Sequence, residues 1–319
     1  MSSAPAARSG GLDPFSRRTL LGATGLALAA TLAACGRSSP VASSSDPFTS
    51  GAAGRLRIGA IPDQDPEILA RLYGTVADAM SDGLGLDVGY EPVTDYAAAV
   101  SLFRTGDLDL VWFGGLTGVQ ARLQTPGATP IAQRDIDEAF HSVFVVNAAT
   151  GLAPSDDLTA LAGLRFTYGS ETSTSGRLMP AYFLERAGVD PQGFPGGPGF
   201  SGSHDATLAL VASGTYQAGV LNEQVWESRS EEGAVPPSVV RYARTPAYHD
   251  YHWLLGPAAV DRLGDDLPDR LTGWFTALSA DDPADAEVLD LFGAGAFLET
   301  EASNYDQIET IGRDLGLVS

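Results

Sequence analysis

Lysine is absent from all 319 residues, so every one of the 19 basic side chains is an arginine. That excludes a phosphate loop of the kind that depends on a lysine. Forty acidic residues give a formal net charge of -21. No Arg-rich stripe interrupts that acidity, which excludes nucleic acid as a partner. A small anion is not excluded, because helix N-termini and hydroxyls hold anions without a formal cation. Cysteine occurs once, at Cys35, so the body has no disulfide, no thiol nucleophile and no thiolate metal site. A Gly-x-Ser-x-Gly elbow is missing. His249 and His252 lack a helical H-E-x-x-H setting and a nearby third ligand. Neither a metal nor any other cofactor is expected.

The longest apolar run, Leu20 to Ala34, is shorter than the roughly 20 residues of a membrane span. It follows Arg17-Arg18 and ends in Leu32-Ala33-Ala34-Cys35. Charge, apolar run, small residues and cysteine stand in the order of an exported lipoprotein signal, in which Cys35 receives the lipid. The arginine pair resembles a twin-arginine signal, although Leu20 replaces the usual Phe, which leaves the general secretion route open. Residues 1–34 are thus expected to be removed. Residues 35–54, rich in Ser, Pro, Ala and Gly, read as a flexible tether.

In the body, strand-like and helix-like segments alternate. Strands are expected at Leu56 to Ile61, Leu86 to Tyr90 and Leu108 to Phe113. Helices follow from Asp65-Pro66, from Thr94 as a cap, and from Gly114-Gly115. The alternation implies βαβ units and parallel-type sheets with flanking helices. His141 to Asn147 reads as a crossing into a second unit, and Tyr251 to Leu255 as the return. A mainly helical tail, Ala258 to Gly316, packs on the first unit. The expected architecture is a two-lobed α/β clamshell with a hinge. Residues 55–143 and 253–319 form lobe 1, and residues 144–252 form lobe 2. Ligands of such sheets sit beyond the carboxyl ends of the strands.

Two segments carry anion chemistry. Gly169-Ser170-Glu171-Thr172-Ser173-Thr174-Ser175-Gly176 joins a strand to a helix, bringing hydroxyls and unpaired N–H groups together at a positive helix end. A plain Ser/Thr N-cap would look the same. Gly202-Ser203-His204-Asp205 opens another helix, and His204 could donate to an oxyanion. If its imidazolium is the donor, binding strengthens as pH falls.

These segments, with Asp95-Tyr96, Val111-Trp112-Phe113-Gly114-Gly115, Pro180 and Ala218-Gly219-Val220-Leu221-Asn222, resemble the PhnD-like binding proteins of phosphate, phosphite and phosphonate ABC importers. Tyr248-His249-Asp250-Tyr251-His252-Trp253 and the run from Trp112 to Gln120 look nearest to a branch described as selenate-binding. The resemblance covers about residues 55–315. It implies a periplasmic-binding-protein type II fold and a non-catalytic receptor, working as a monomer with a membrane permease. Ser173, Thr174, Ser175 and Gly176 would hold a tetrahedral anion, with Tyr96 donating from one lobe and His204, beside Asp205, from the other. The backbone at Phe113 and Gly114 would close over the anion, and Arg177 could add charge. Asn222, Glu223 and Asp250 stand where phosphonate binders recognise an amino group. Two rivals remain at this point: a sensor lipoprotein, and an enzyme on the same fold using His204.

The anchoring expectation is directly testable. Cys35→Ser should release the protein from membranes or block its processing, as followed by fractionation and mass. Unchanged membrane association with unchanged mass would reject it.

Overall fold

The structure is a computed structural model in which residues 54–318 are described. The expected signal segment, Cys35 and the tether up to residue 53 lie outside the described residues. No described helix is long and apolar enough to cross a membrane.

The chain first lays down β1 (Arg55–Ala60), α1 (Pro66–Leu84), β2 (Asp87–Tyr90), α2 (Tyr96–Thr105), β3 (Leu110–Phe113), α3 (Gly115–Gln124) and β4 (Thr129–Arg134). Then come β5 (Ser142–Asn147), β6 (Phe166–Tyr168), α4 (Met179–Arg186), β7 (Gly199–Phe200), α5 (His204–Ala212), β8 (Ala218–Asn222), α6 (Glu223–Glu231) and β9 (Val239–Arg244). The return is β10 (His252–Leu255), followed by α7 (Pro257–Leu263), α8 (Leu267–Ala277), α9 (Pro283–Phe292), β11 (Phe297–Glu299) and α10 (Asp306–Asp314).

Two sheets result. One has the strand order β11-β4-β10-β3-β1-β2, the other β7-β6-β8-β5-β9. The βαβ units are parallel, as the alternation predicts: β1 pairs with β2 and β3, and β6 with β7 and β8. The strands that carry the chain between sheets run the other way. β5 is antiparallel to β8 and β9, and β10 to β3 and β4. Each enters its sheet from the opposite lobe, so both sheets are mixed.

Local chemistry sets the element ends. Asp65 caps α1 by accepting from the Glu67 N–H at 2.9 Å, and Pro66 occupies the first turn, where no amide is needed. For α2 the cap is Asp95, not the expected Thr94: its Oδ1 accepts from the Ala98 N–H at 2.8 Å. Strands β4 and β11 were not expected. β4 reads as polar, yet its Gln133 and Arg134 are buried, the first against a distant partner and the second against a near one. Gln133 Oε1 takes the Thr300 hydroxyl at 2.6 Å, and Arg134 forms a two-pronged pair with Asp137 at 2.7 and 2.8 Å. The first lobe's core is an aromatic cluster in which Trp112 packs on Phe292 at 5.1 Å and Trp253 on Phe275 at 5.4 Å. That cluster fixes the carboxyl ends of β1 and β3, which point at the second sheet.

Candidate functional site

The anion loop is shaped by a proline. The chain leaves β6 and opens a wide turn over Thr174–Leu178 before the regular helix α4 begins. The Leu178 N–H reaches back five residues to the Ser173 carbonyl at 3.0 Å. Pro180 has no N–H to continue the pattern, so the carbonyls behind it need other donors. Ser142 Oγ donates to the Ser175 carbonyl at 2.8 Å, and the Gly169 N–H to the Gly176 carbonyl at 2.8 Å. A Cβ on Gly169 would stand 3.3 Å from the Gly176 Cα, so this backbone approach needs glycine. The helical stretch after Ser173 is thus divided into a wide turn, Thr174–Leu178, and the regular helix from Met179.

The three hydroxyls of the loop differ. Ser173 Oγ accepts from the Gly176 N–H at 2.9 Å and is the cap. Thr174 Oγ1 accepts from the Leu116 N–H at 2.9 Å, across the cleft from α3. Ser175 Oγ is buried and has no partner in the protein. The Tyr96 hydroxyl, in the first turn of α2, is also buried and unpartnered. Burial, and after it the charge of Asp63, push its pKa well above the usual value.

Asp250 faces the same corner. Its Oδ1 accepts from the Gly115 N–H at 2.9 Å, while Oδ2 is buried without a partner. Burial pushes its pKa up to about 7, opposed by the Gly115 N–H and the Thr174 hydroxyl. Gly114 keeps the corner open: a Cβ there would sit 3.1 Å from Thr174 Oγ1 and 3.2 Å from Asp250 Oδ1. The Phe113 side chain turns away and packs edge-on against Phe103 at 5.6 Å, leaving its backbone toward the cleft.

His204 is completely buried, and burial lowers its pKa to about 3. The imidazole is therefore held in its neutral form near neutral pH. Nδ1 accepts the Asn222 N–H at 3.4 Å, so the proton resides on Nε2, 3.5 Å from the Tyr251 hydroxyl. Asn222 caps α6 through Oδ1, at 2.6 Å from the Val225 N–H, and its Nδ2 donates to Tyr251 Oη at 3.0 Å. Tyr251 in turn donates to Asp63 Oδ2 at 2.8 Å and stacks on Trp112 at 5.7 Å. Burial pushes Asp63 up to about 6.

The remaining expected residues are engaged elsewhere. Glu223 is held by Arg241 at 2.7 Å and Arg244 at 2.6 Å. Asp205 pairs with Arg229 at 3.0 Å and accepts from the Asp65 N–H at 3.0 Å. The Arg177 guanidinium lies 4.5 Å from the Tyr168 ring and 5.8 Å from that of Phe200, and one of its nitrogens is unpartnered. Tyr96, Gly114, Thr174, Ser175, His204, Asn222 and Asp250 thus belong to one interlobe cluster; Glu223 and Arg177 do not join it. Sequence reasoning passed over Asp63 and the Tyr251 hydroxyl. The position of Asp63 just beyond a strand's carboxyl end was the signal available for it.

Two compact lobes closing unpaired hydroxyls and a neutral histidine over one small corner define a solute receptor. The family described as ABC transporter, phosphonate, periplasmic substrate-binding protein matches residues 58–305. A probable ABC transporter phosphite binding protein of Prochlorococcus marinus (strain MIT 9301) is 47% identical over 268 residues, 82% of this chain and 90% of that one. The solved structure of the protein of that strain called PhnD1, in complex with methylphosphonate, superposes with a TM-score of 0.81 at 46% identity. It covers 83% of this chain and 100% of that one. A binding protein component of an ABC phosphonate transporter from Pseudomonas aeruginosa shares the fold, with a TM-score of 0.70 at 19% identity over 81% of this chain and 85% of that one. The chain belongs to the periplasmic substrate-binding proteins of phosphonate ABC transporters, with the type II two-lobed fold. It is an exported transport receptor and not an enzyme.

The loop geometry separates binding from capping. Ser175→Ala should weaken oxyanion binding by about 10- to 150-fold, taking about 1.5–3 kcal/mol for a hydrogen bond to a charged group, while the ligand-free melting temperature stays put. Ser173→Ala should lose about 0.5–2 kcal/mol of stability as a cap. Calorimetric titration and melting on both variants read the difference. Wild-type affinity in Ser175→Ala would move the anion away from this loop.

Proposed function

We propose that this chain captures a small phosphorus oxyanion that still carries a proton, of the phosphite and methylphosphonate class, and delivers it to an ABC permease. The observation that carries this reading is a set of three buried polar atoms without a partner: Asp250 Oδ2, Ser175 Oγ and Tyr96 Oη. Hydroxyls can donate to an anion's bare oxygens. A carboxylate can only accept, so the ligand oxygen that meets it must bring a hydrogen, or Asp250 must hold one. Phosphite and alkylphosphonates lose their last P–OH proton only around neutral pH, so a form with one P–OH is available there. Sulfate and selenate keep none, so this chemistry disfavours selenate despite the resemblance to that branch. Steric room points to a compact substituent, because Thr174 Oγ1 already bonds the Leu116 N–H across the cleft. Glu223 is neutralised by two arginines, which argues against an amino-group site there. The names of the Prochlorococcus relatives, a probable phosphite binder and a methylphosphonate complex, support the same class.

The same proposal takes residues 55–143 with 253–319 and residues 144–252 as two hinged bodies. Ligand favours the closed arrangement, since it alone gathers donors from both. The receptor works as a monomer, tethered outside the cytoplasmic membrane through Cys35.

The pH dependence has a definite sign. The Asp250 pKa is raised to about 7, so below that pH the carboxyl holds its proton and donates. Above it, Asp250 is an anion facing an anion. Affinity for phosphite and methylphosphonate should therefore fall above pH 7, approaching about tenfold per pH unit once ligand and carboxyl have both lost the shared proton. Asp250→Asn should flatten that slope and narrow the preference over sulfate and selenate. Titrations at pH 6 to 9 with phosphite, methylphosphonate, phosphate, aminoethylphosphonate, sulfate and selenate test it. Selenate binding as tightly as phosphite in the wild type would overturn the proposal.

A further inference from the structure

One carboxylate of the interlobe cluster is not needed to hold an anion. Asp63 follows β1 in the first lobe and is buried. Its charge would repel the ligand, so its presence needs another explanation. Two hydrogen bonds supply it. The Asp63 carbonyl accepts from the His204 N–H at 2.9 Å, at the first residue of α5 in the second lobe. The Asp63 carboxylate accepts from the Tyr251 hydroxyl at 2.8 Å, on the segment that returns the chain to the first lobe.

Tyr251 Oη is saturated by this arrangement. It gives its only hydrogen to Asp63 and accepts from Asn222 Nδ2 at 3.0 Å, with His204 Nε2 at 3.5 Å. Asp63 thus orders a chain that runs from lobe 1 through the return segment to two residues of lobe 2. Other bonds cross between the lobes as well, among them the Leu116 N–H with Thr174 Oγ1, the Asp65 N–H with Asp205 Oδ2, and Arg134 Nη1 with Gln224 Oε1.

We propose that Asp63 is a positioning residue for ligand retention: through Tyr251 and His204 it holds the lobes shut, and so sets how long a captured ligand stays. This rests on the reading of the cleft as a closing receptor site. Opening separates Asp63 of lobe 1 from both His204 and Tyr251, so the chain stabilises the closed state alone. A contact of that kind slows dissociation and leaves the first encounter unchanged. It also leaves the ligand-free, open protein as stable as before.

Charge and latch act in opposite directions at this residue, which makes the test clean. Removing a negative charge by itself should tighten anion binding in every variant. Loss of the latch should loosen it only where the acceptor is gone. Stopped-flow dissociation of phosphite and methylphosphonate, followed by the fluorescence of Trp112 stacked on Tyr251, compares Asp63→Ala with Asp63→Asn. The latch predicts dissociation about 10-fold or more faster in Asp63→Ala, from the size of a hydrogen bond to a charged group. Its association rate and ligand-free melting temperature should match the wild type. Asp63→Asn, whose amide oxygen still accepts from Tyr251, should dissociate no faster than the wild type. Wild-type or slower dissociation in Asp63→Ala would overturn the latch, and so would equal acceleration in both variants. If neither ligand binds the wild type, the receptor reading fails and the latch with it. If Ser175→Ala binds weakly while Asp63→Ala dissociates normally, the anion site stands and the latch alone falls.

Discussion

Two carboxylates, Asp63 and Asp250, are buried in a cleft whose direct donors carry no formal charge, and the rest of the site follows from that constraint. A buried charge without a partner is costly, and an anion beside a carboxylate more so. Each acid is accommodated differently. Asp63 is given the Tyr251 hydroxyl; Asp250 keeps one oxygen on the Gly115 N–H and leaves the other for a proton. The neutral His204 fits the same logic. Burial disfavours an imidazolium there.

The backbone does as much as the side chains. Pro180 interrupts the helix it belongs to, and the wide turn that results frees Ser175 Oγ while Ser142 and Gly169 satisfy the carbonyls left behind. Gly114 leaves the corner where Thr174 and Asp250 approach one another. Neither residue carries charge, yet both decide where donors can stand. The buried Arg134 has its charge answered locally: Asp137 takes both prongs, and the rings of Trp112, Phe140 and Tyr251 surround it at 5.1 to 5.6 Å. It supports the Tyr251 ring without serving as a ligand cation.

Much of this was legible in the chain. The α/β alternation follows from short-range periodicity, so β1 to α3 and β8 to α6 lie within a few residues of where the pattern places them. Ser173 to Ser175 and His204 stand out because helix starts concentrate unpaired donors. What escaped depends on partners far away in sequence. The Tyr251–Asp63 bond joins residues 188 positions apart. β4 was not among the expected strands, and the groups that satisfy its Gln133 come from the tail. Glu223 looked available because Arg241 and Arg244 reach it from β9. The charge state of His204 depends on burial between lobes, which no local pattern encodes.

The central claim is that the site binds an anion together with one shared proton. Calorimetric titration of methylphosphonate at pH 8, repeated in buffers of different ionisation enthalpy, counts the protons that accompany binding. With Asp250 near 7 and the free ligand largely deprotonated, the account predicts uptake approaching one proton per ligand bound. A binding enthalpy independent of the buffer, meaning no proton taken up, would contradict it.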